Sequence, residues 1–309
     1  MICRLLIILA LSYPFEFRAQ SPQQDLELVK GLKEITRDFN GTAGVYVYNL
    51  KTGKEAAINQ DTIFPTASIV KVPILIALFD KINSGELSLN DTLIYRDERV
   101  YGGSGLMQFF KDSTQTDLRT LAALMITYSD NVTSIWSQEL AGGGEAINKI
   151  MEELGLQNTR VNSRTKGREE NWEEFGWGQT TPKEMASLLV KMRNRKLVSA
   201  AASDEMYRMM TNSFYTDYSL SQIPPYVQTA AKQGMVDRSR SELVMVNAPG
   251  GDYVFYVATK ENEDASWEYD NESWVLQRKI SAYLWNYFEP ESKWKPADGS
   301  ENLVRGLKY

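Results

Sequence analysis

The sequence predicts an α+β fold in which segments from both ends of the chain form one antiparallel sheet. Alternating apolar and polar residues occur near the N-terminus and again in the last third, whereas the middle has helical periodicity. Strands and helices do not alternate one by one, so a parallel βαβ array is not expected. We therefore expect a sheet flanked by helices, with an inserted all-helical subdomain packed beside it.

The N-terminus has the pattern of a secretory signal peptide. Arg4 is followed by LLIILALSYPFEF, an apolar run too short to span a bilayer comfortably. We expect residues 1–20 to be removed, with the cut near residues 19 to 21. The mature protein is then expected to be secreted, into the periplasm if the source is a bacterium. Cys3 precedes the apolar run, so a lipoprotein anchor is not indicated. An uncleaved N-terminal membrane anchor is the alternative.

The remaining chain, residues 21–309, is predicted to be a single domain. Residues 25–39 repeat apolar side chains at helical spacing, and residues 41–59 alternate on both sides of a Thr52-Gly53 turn, which predicts a helix and then a β-hairpin. Helical patterns follow at 68–83, 118–140, 144–155 and 181–196. Strands are predicted at 227–236, 241–249 and 252–261, and a last helix at 272–288. The sheet-bearing part is then 21–64 and 213–309, and the helical part 65–212.

Composition excludes several kinds of chemistry. The chain has no histidine, so a Ser-His-Asp triad, a Cys-His pair and the zinc sites built on histidine are impossible. Cys3 is the only cysteine, which leaves neither a disulfide framework nor a cysteine cluster for a metal. The net charge of −6 with interspersed signs argues against nucleic acid as the main partner. A serine nucleophile would need Lys, Glu, Asp or Tyr as its base.

The stretch PTASIVKVPIL places Ser68 three residues before Lys71 at the start of a predicted helix. Residues three apart share one helical face, so the hydroxyl and the amine are able to meet there. Burial and the positive end of the helix dipole would lower the pKa of Lys71 and leave it available as a base. Pro73 supports a helix that starts close to Ser68, because proline is tolerated only in the first turn. A capping serine with an unrelated lysine is the alternative.

Two more short motifs follow in order. Ser129-Asp130-Asn131 comes after an apolar helical segment, and Lys232 and Gly234 lie on a predicted strand. Taken singly, the first is also a common cap and the second an edge strand with a solvated lysine.

The three motifs together resemble the class A serine β-lactamases and the related penicillin-binding proteins, whose set is S-x-x-K, S-D-N and K-T-G. The segments GGSGLMQF, LMITYSDN, ELGLQNTRVN and TTPKEMASLL are also similar to class A segments, so the resemblance spans nearly the whole mature chain. It implies a β-lactamase/transpeptidase-like fold with a five-stranded sheet and a helical block.

The resemblance also implies roles for seven residues. Ser68 would be the acylated nucleophile, Lys71 would help to deprotonate it, and Ser129 would pass a proton to the leaving nitrogen. Asn131 would hydrogen-bond a substrate amide, and Lys232 would set the potential near the substrate carboxylate. The backbone N–H groups of Ser68 and of Met235, which follows Gly234, would form the oxyanion hole. Gly234 would let a ligand approach the strand backbone.

Two departures from the family pattern concern binding and turnover. Gln233 stands where the family has a hydroxyl residue, and Arg238 and Arg240 lie just beyond it. Either arginine is a candidate carboxylate clamp, or both are exposed charges. The loop before TTPKEM lacks the family's Glu-x-x-Leu-Asn pattern, whose glutamate orients the deacylating water. The loop has four glutamates, none of which starts that pattern: Glu169, Glu170, Glu173 and Glu174. One of them serves in a rebuilt loop, or all are solvated.

The sequence therefore predicts a secreted serine hydrolase of class A type that opens β-lactams through a Ser68 acyl-enzyme. A peptidoglycan peptidase of the penicillin-binding type, or another amide or ester hydrolase, is the second interpretation. A sensor that is acylated once and does not turn over is the third. The expected partner is a small β-lactam or peptidoglycan-like molecule, and we expect a monomer without metal or cofactor.

Overall fold

The computed structural model describes residues 22–300, so the predicted signal peptide and its cleavage site lie outside the described residues. The strands are β1 (Gln23–Gln24), β2 (Thr42–Asn49), β3 (Lys54–Ile58), β4 (Phe64–Pro65), β5 (Thr92–Ile94), β6 (Gln115–Asp117), β7 (Arg160–Val161), β8 (Gly178–Thr180), β9 (Thr229–Val236), β10 (Ser239–Val246) and β11 (Tyr253–Lys260). The α-helices are α1 (Leu26–Thr36), α2 (Lys71–Asn83), α3 (Leu118–Thr127), α4 (Asn131–Leu140), α5 (Gly143–Glu153), α6 (Glu169–Phe175), α7 (Pro182–Arg193), α8 (Ala200–Met210) and α9 (Glu272–Phe288).

The main sheet joins both ends of the chain, as the sequence predicts. Its strand order is β1-β3-β2-β11-β10-β9. The N-terminal hairpin meets the C-terminal strands where β2 pairs antiparallel with β11, with Val45 opposite Val257. The two-residue strand β1 was not predicted and pairs parallel to β3. Strand β9 therefore forms one edge of the sheet, with one side open to the rest of the molecule.

Both faces of the sheet are covered by apolar packing. On one face, residues of β10 and β11 pack with α2, α7 and α8 in a cluster that includes Leu75, Leu188 and Met206. On the other face, a second cluster joins α1 and α9 to the sheet through residues such as Leu32, Phe255 and Ile280. The α+β architecture with helices on both faces is confirmed.

Helix α2 begins later than predicted. A 3₁₀ turn covers Ala67–Val70, and the α-helix itself starts at Lys71. Pro73 is then the third helical residue, a position whose N–H has no intrahelical partner to lose. Nine residues from Lys71 to Phe79 are buried, which makes α2 the central helix of the molecule.

The single helix predicted at 118–140 is wrong. The structure has two helices there, α3 and α4, separated by Ser129 in a left-handed conformation with a φ of 55°. Asp130 caps α4 by accepting a hydrogen bond from the backbone N–H of Thr133 at 2.9 Å. Because the capping aspartate starts a new helix, the chain changes direction at Ser129 and presents its hydroxyl to α2.

The inserted part also contains structure that the sequence did not predict. Helices α6 and α8 were missed, and two small ladders, β4-β8-β7 and β5-β6, lie between the helices. The division of the domain at residues 65 and 212 stays a prediction. Within residues 22–300, none of the helices combines the length and the apolarity that a membrane span requires.

Candidate active site

The turn that carries Ser68 packs directly on the edge strand β9. A Cβ atom on Gly234 would lie 2.3 Å from the carbonyl oxygen of Thr66 and 2.9 Å from the backbone nitrogen of Ile69. Only glycine permits this approach. The sequence predicted a close approach at Gly234 by a ligand, whereas the structure shows that the protein's own serine turn makes it. The contact brings Ser68 and Met235 to one cavity.

Lys71 connects the first two polar motifs. Its Nζ atom lies 3.1 Å from Ser68 Oγ, 3.1 Å from Ser129 Oγ and 2.9 Å from Asn131 Oδ1. The side chain is completely buried, and burial lowers the pKa of Lys71 to about 7, although the Asp130 carboxylate opposes the change. A substantial fraction of the amine is therefore neutral near pH 7.

Ser129 lies between two lysines. Its hydroxyl accepts a hydrogen bond from Lys232 Nζ at 2.9 Å as well as the bond from Lys71. Lys232 is buried and also donates to the backbone carbonyl of Gln233 at 2.6 Å. Burial lowers the pKa of Lys232 well below its usual value, and repulsion from Lys71 lowers it further. The hydroxyl of Ser129 thus joins two amines that disfavour each other's charge.

Glu242 is a charged residue near the site that sequence reasoning missed. It lies on β10 directly opposite Gln233, and the completely buried carboxylate accepts a hydrogen bond from the backbone N–H of Ser219 at 2.8 Å. Burial raises the pKa of Glu242 to about 7, while Lys232 and Arg278 oppose the rise. The sequence did contain a signal for a buried acid, because Glu242 directly precedes the apolar strand segment LVMV.

Asp130 and Asn131 hold the opposite wall of the site. Asp130 Oδ2 accepts hydrogen bonds from the backbone N–H groups of Leu106 at 2.6 Å and Met107 at 2.7 Å. Asn131 Nδ2 donates to the carbonyl of Gly102 at 3.0 Å. The Ser-Asp-Asn motif therefore fixes the loop around residues 102–107 besides contributing Ser129. The sequence suggested no such role for Asp130.

The cleft above Ser68 has a volume of ≈ 470 Å³. Its lining includes these predicted site residues: Ser68, Ser129, Asn131, Gly234 and Met235. Lys71 and Lys232 lie beneath this surface, buried behind Ser129. Sequence reasoning missed the aromatic part of the lining, which consists of Tyr215, Tyr218 and Trp267. The structure thus brings all seven predicted residues to one place.

Neither arginine serves as a carboxylate clamp in the cleft. Arg240 is fully buried, with its guanidinium 4.5 Å from the ring centroid of Trp267 and 5.0 Å from that of Trp274. It donates to the carbonyl of Ser266 at 3.1 Å. Arg238 is exposed and lines a separate cavity of ≈ 360 Å³ on the other side of Ala67. The clamp hypothesis is wrong for Arg240, and Arg238 does not line the cleft.

The four glutamates of the preceding loop lie on or at the start of α6 and are all exposed. Glu169 accepts a hydrogen bond from the backbone N–H of Gly167 at 3.1 Å, and Glu174 lines the separate cavity. Across residues 22–300, no carboxylate forms a hydrogen bond or ion pair with Ser68 or Lys71. The geometry therefore supports the alternative in which these glutamates are solvated.

A cation, not a carboxylate, anchors this loop. Arg168 donates to Asn162 Oδ1 from two nitrogens, at 3.1 and 2.9 Å, and to Gln179 Oε1 at 2.7 Å. Gln179 belongs to β8, which pairs with β4 just before the Ser68 turn. Burial lowers the pKa of Arg168, yet guanidinium keeps its proton at any physiological pH. The side chain that anchors the loop is therefore a cation and is not able to act as a general base.

The described chain, residues 22–300, contains no cluster of three or more His, Cys, Asp or Glu side chains placed to hold a metal ion. Ser68 is hydrogen-bonded to Lys71, which in turn bonds Ser129 and Asn131, and Ser129 bonds Lys232.

The fold and this cluster define a serine hydrolase of the β-lactamase type. The model of the beta-lactamase enzyme family matches residues 27–288, and the chain belongs to that family. Among curated proteins, β-lactamase VEB-1 from Pseudomonas aeruginosa is 22% identical over 296 residues, which cover 92% of this chain and 97% of the relative.

Solved structures show the same relationship. PBP-A superposes with a TM-score of 0.77 and 26% identity, covering 87% of this chain and 98% of its own. A variant of PBP-A has been solved as an acyl-enzyme complex with penicillin G. A β-lactamase from Chitinophaga pinensis DSM 2588 superposes with a TM-score of 0.77 over 84% of this chain and 99% of its own, at 20% identity, and this likeness supports the fold alone.

Proposed function

We propose that the protein opens β-lactams by acylation of Ser68 and hydrolyses the resulting acyl-enzyme slowly. One observation carries the proposal: the buried Lys71 amine is within hydrogen-bonding distance of both the Ser68 and the Ser129 hydroxyls. A neutral amine between two hydroxyls is able to accept a proton from one and supply it to the other. No histidine is needed for this transfer.

The acylation step uses the residues as follows. Lys71 accepts the hydroxyl proton of Ser68 as Oγ bonds to the lactam carbonyl carbon. The C–N bond of the ring then breaks, and Ser129 gives its proton to the departing nitrogen. Ser129 regains a proton from Lys71, so the amine is neutral again at the end. Ser68 and Met235 both line the cleft, and their backbone N–H groups are the proposed donors to the oxyanion.

Substrate contacts follow from the cleft lining. Lys232 donates a hydrogen bond to Ser129 from beneath the cleft, and Gln233 offers its side-chain amide at the position where the family has a hydroxyl. Asn131 Nδ2, which already donates to Gly102, has a second hydrogen for a substrate amide. A ligand carboxylate would therefore meet Gln233 at the cleft surface, with Lys232 beneath it and no arginine in the lining.

Hydrolysis of the ester at Ser68 requires an activated water. No loop glutamate reaches the serine, so Lys71 is the base proposed for this step as well. A base with a pKa of about 7 that must also have returned to neutral is less effective than a dedicated carboxylate held over the ester. We therefore infer a long-lived acyl-enzyme.

The same observation favours a second candidate, a penicillin-binding peptidase of the cell wall. Such an enzyme would acylate Ser68 with a peptide that ends in D-alanyl-D-alanine and would be trapped by a β-lactam. The likeness to PBP-A supports this candidate, since a variant of that protein has been solved as an acyl-enzyme with penicillin G. Both candidates act on periplasmic or extracellular substrates, which is consistent with the predicted signal peptide.

Labelling with a fluorescent penicillin tests the nucleophile. We expect Ser68→Ala to abolish labelling while its thermal unfolding stays close to that of the wild type. Ser104→Ala, which removes another hydroxyl of the cleft wall, is the matched control and should keep the label. Equal labelling of the Ser68 variant would exclude Ser68 as the nucleophile. A D-alanyl-D-alanine peptide offered to the wild type separates the two candidates: its cleavage identifies a peptidase.

A further inference from the structure

One wall of the cleft is formed by aromatic side chains that take no part in the proposed proton transfers. Trp267 lies in the segment between β11 and α9, lines the cleft and is 47% exposed. Its Nε1 atom donates to Asp237 Oδ1 at 2.9 Å, which fixes the indole at the end of β9. Tyr218 lies beside it on the same wall, with its hydroxyl 3.7 Å from the sulfur of Met235.

Behind Trp267 the aromatic wall continues as a cluster of rings around Arg240. The Arg240 guanidinium lies 4.5 and 5.0 Å from the ring centroids of Trp267 and Trp274, and these two rings meet edge to face with their centroids 5.9 Å apart. Trp274 in turn stacks on Tyr218 at 5.0 Å with an interplanar angle of 28°. Arg240 is fully buried and donates to the carbonyls of Ser239 and Ser266. Its fixed guanidinium supports the rings of Trp267 and Trp274 that contact it.

This support makes Trp267 a rigid binding surface. The ring is fixed before a ligand arrives, so little side-chain freedom is lost on binding. The face toward Arg240 already interacts with a cation, and the exposed part faces the cleft. A second cation on that side would be repelled by Arg240, whereas an uncharged aromatic group would stack on the indole without that penalty.

We propose that Trp267 is a specificity-determining residue that binds an uncharged aromatic substituent of the acylating substrate. The inference rests on the proposed function, since it places the substituent in the cleft while Ser68 is being acylated. The alternative for Trp267 is a purely structural one, in which the indole only covers Arg240. In that case its removal would affect all substrates equally.

Acylation kinetics with two penicillins of equal charge test the proposal, one with a benzyl substituent and one with a short aliphatic chain. The second-order acylation rate constant is measured for the wild type, Trp267→Ala and Trp267→Phe. We expect Trp267→Ala to lower the rate constant for the benzyl compound about 3- to 10-fold more than for the aliphatic one, the range of one aromatic pair. Trp267→Phe should restore most of the difference.

Trp172→Ala is the matched control, because Trp172 is 39% exposed on α6 and lies outside the cleft lining. It should leave the ratio between the two penicillins unchanged. Equal losses for both compounds in Trp267→Ala, or no preference in the wild type, would overturn the specificity role. If Trp267→Ala does not fold, Trp267→Leu replaces it, because leucine removes the aromatic ring while keeping apolar bulk over Arg240. Failure of the wild type to form any adduct would instead overturn the proposed function.

Discussion

The site around Ser68 and the loop at residues 162–180 lie next to each other but are built in opposite ways. The first is a buried cluster on two helix N-termini and a sheet edge, in which hydrogen bonds of 2.9 to 3.1 Å join the amines of Lys71 and Lys232 to the hydroxyls of Ser68 and Ser129. The second is anchored by Arg168 and turns its four glutamates to solvent. Under the proposed function, the acyl-enzyme is formed by the first region, and the exposed glutamates of the second region take no part in removing it.

The largest expected effect is on the first region. Lys71→Ala removes the proposed base, and we expect acylation to slow by about 10³-fold, within the usual range for general-base catalysis. Lys71→Arg is the matched variant, because it keeps the charge but cannot give up its proton. Both should be slow in stopped-flow acylation by a chromogenic β-lactam. A fast arginine variant would show that charge, not proton transfer, is what Lys71 contributes.

Stability should separate the buried charges of the first region from the exposed charges of the second. Glu242 has its pKa raised by burial from 4.5 to about 7, so the folded protein binds more protons than the unfolded chain between these values. Its favourable contribution is present below pH 4.5 and is lost as pH rises through 7, a change on the order of 3 kcal/mol.

Urea unfolding of the wild type and Glu242→Gln between pH 5 and 8 measures this contribution. We expect the wild type to lose stability relative to the variant as pH rises, since glutamine does not ionise. Glu170→Gln, an exposed substitution on α6, should show no such divergence. If the unfolding free energies of the wild type and Glu242→Gln change in parallel with pH, the pKa of Glu242 is the same in the folded and the unfolded state, which would contradict this prediction.

The pH dependence of acylation is the next effect in size. Lys71 must be neutral to accept a proton, and its pKa is about 7. The acylation rate constant should therefore rise through pH 7 and level off above it, falling about 10-fold for each pH unit below 6. A profile that is flat between pH 5 and 8 would contradict Lys71 as the base, provided that Tm shows the protein folded throughout.

The smallest expected effects belong to the loop. Single Gln substitutions of Glu169, Glu170, Glu173 and Glu174 should each change the deacylation rate by less than about twofold, as expected for solvated surface charges. Deacylation is followed by the return of activity after excess penicillin is removed. A large loss in one variant, with acylation unchanged, would identify a loop glutamate that reaches the ester and would end the contrast between the two regions.

The sequence predicted the first region well because its motifs are local. Ser68 and Lys71 are one turn apart, and Ser129 immediately precedes Asp130, the cap of α4, so short spacings suffice to indicate the cluster. The left-handed residue at Ser129 was not predicted, since an apolar periodicity continues on both sides of it.

Features that depend on sheet register or loop packing could not be predicted in this way. Arg240 looks like an exposed charge in the sequence. In the structure it is packed against Trp267 and Trp274, which follow β11 in the chain. Glu242 is buried because Gln233 and Ser219 come to lie beside it in the folded chain. The loop glutamates could have faced either the cleft or the solvent, because composition alone does not show how α6 is oriented.

An intact-mass time course with excess penicillin G tests the central claim most directly, because it follows the protein and the drug together. The mature protein is mixed with the drug, and the masses of both are recorded until the reaction ends. Our account predicts that an adduct of one penicillin on Ser68 accumulates to nearly all of the protein and persists while intact drug remains. If free protein predominates while the drug rapidly gains one water, deacylation is fast and the proposed long-lived acyl-enzyme is wrong.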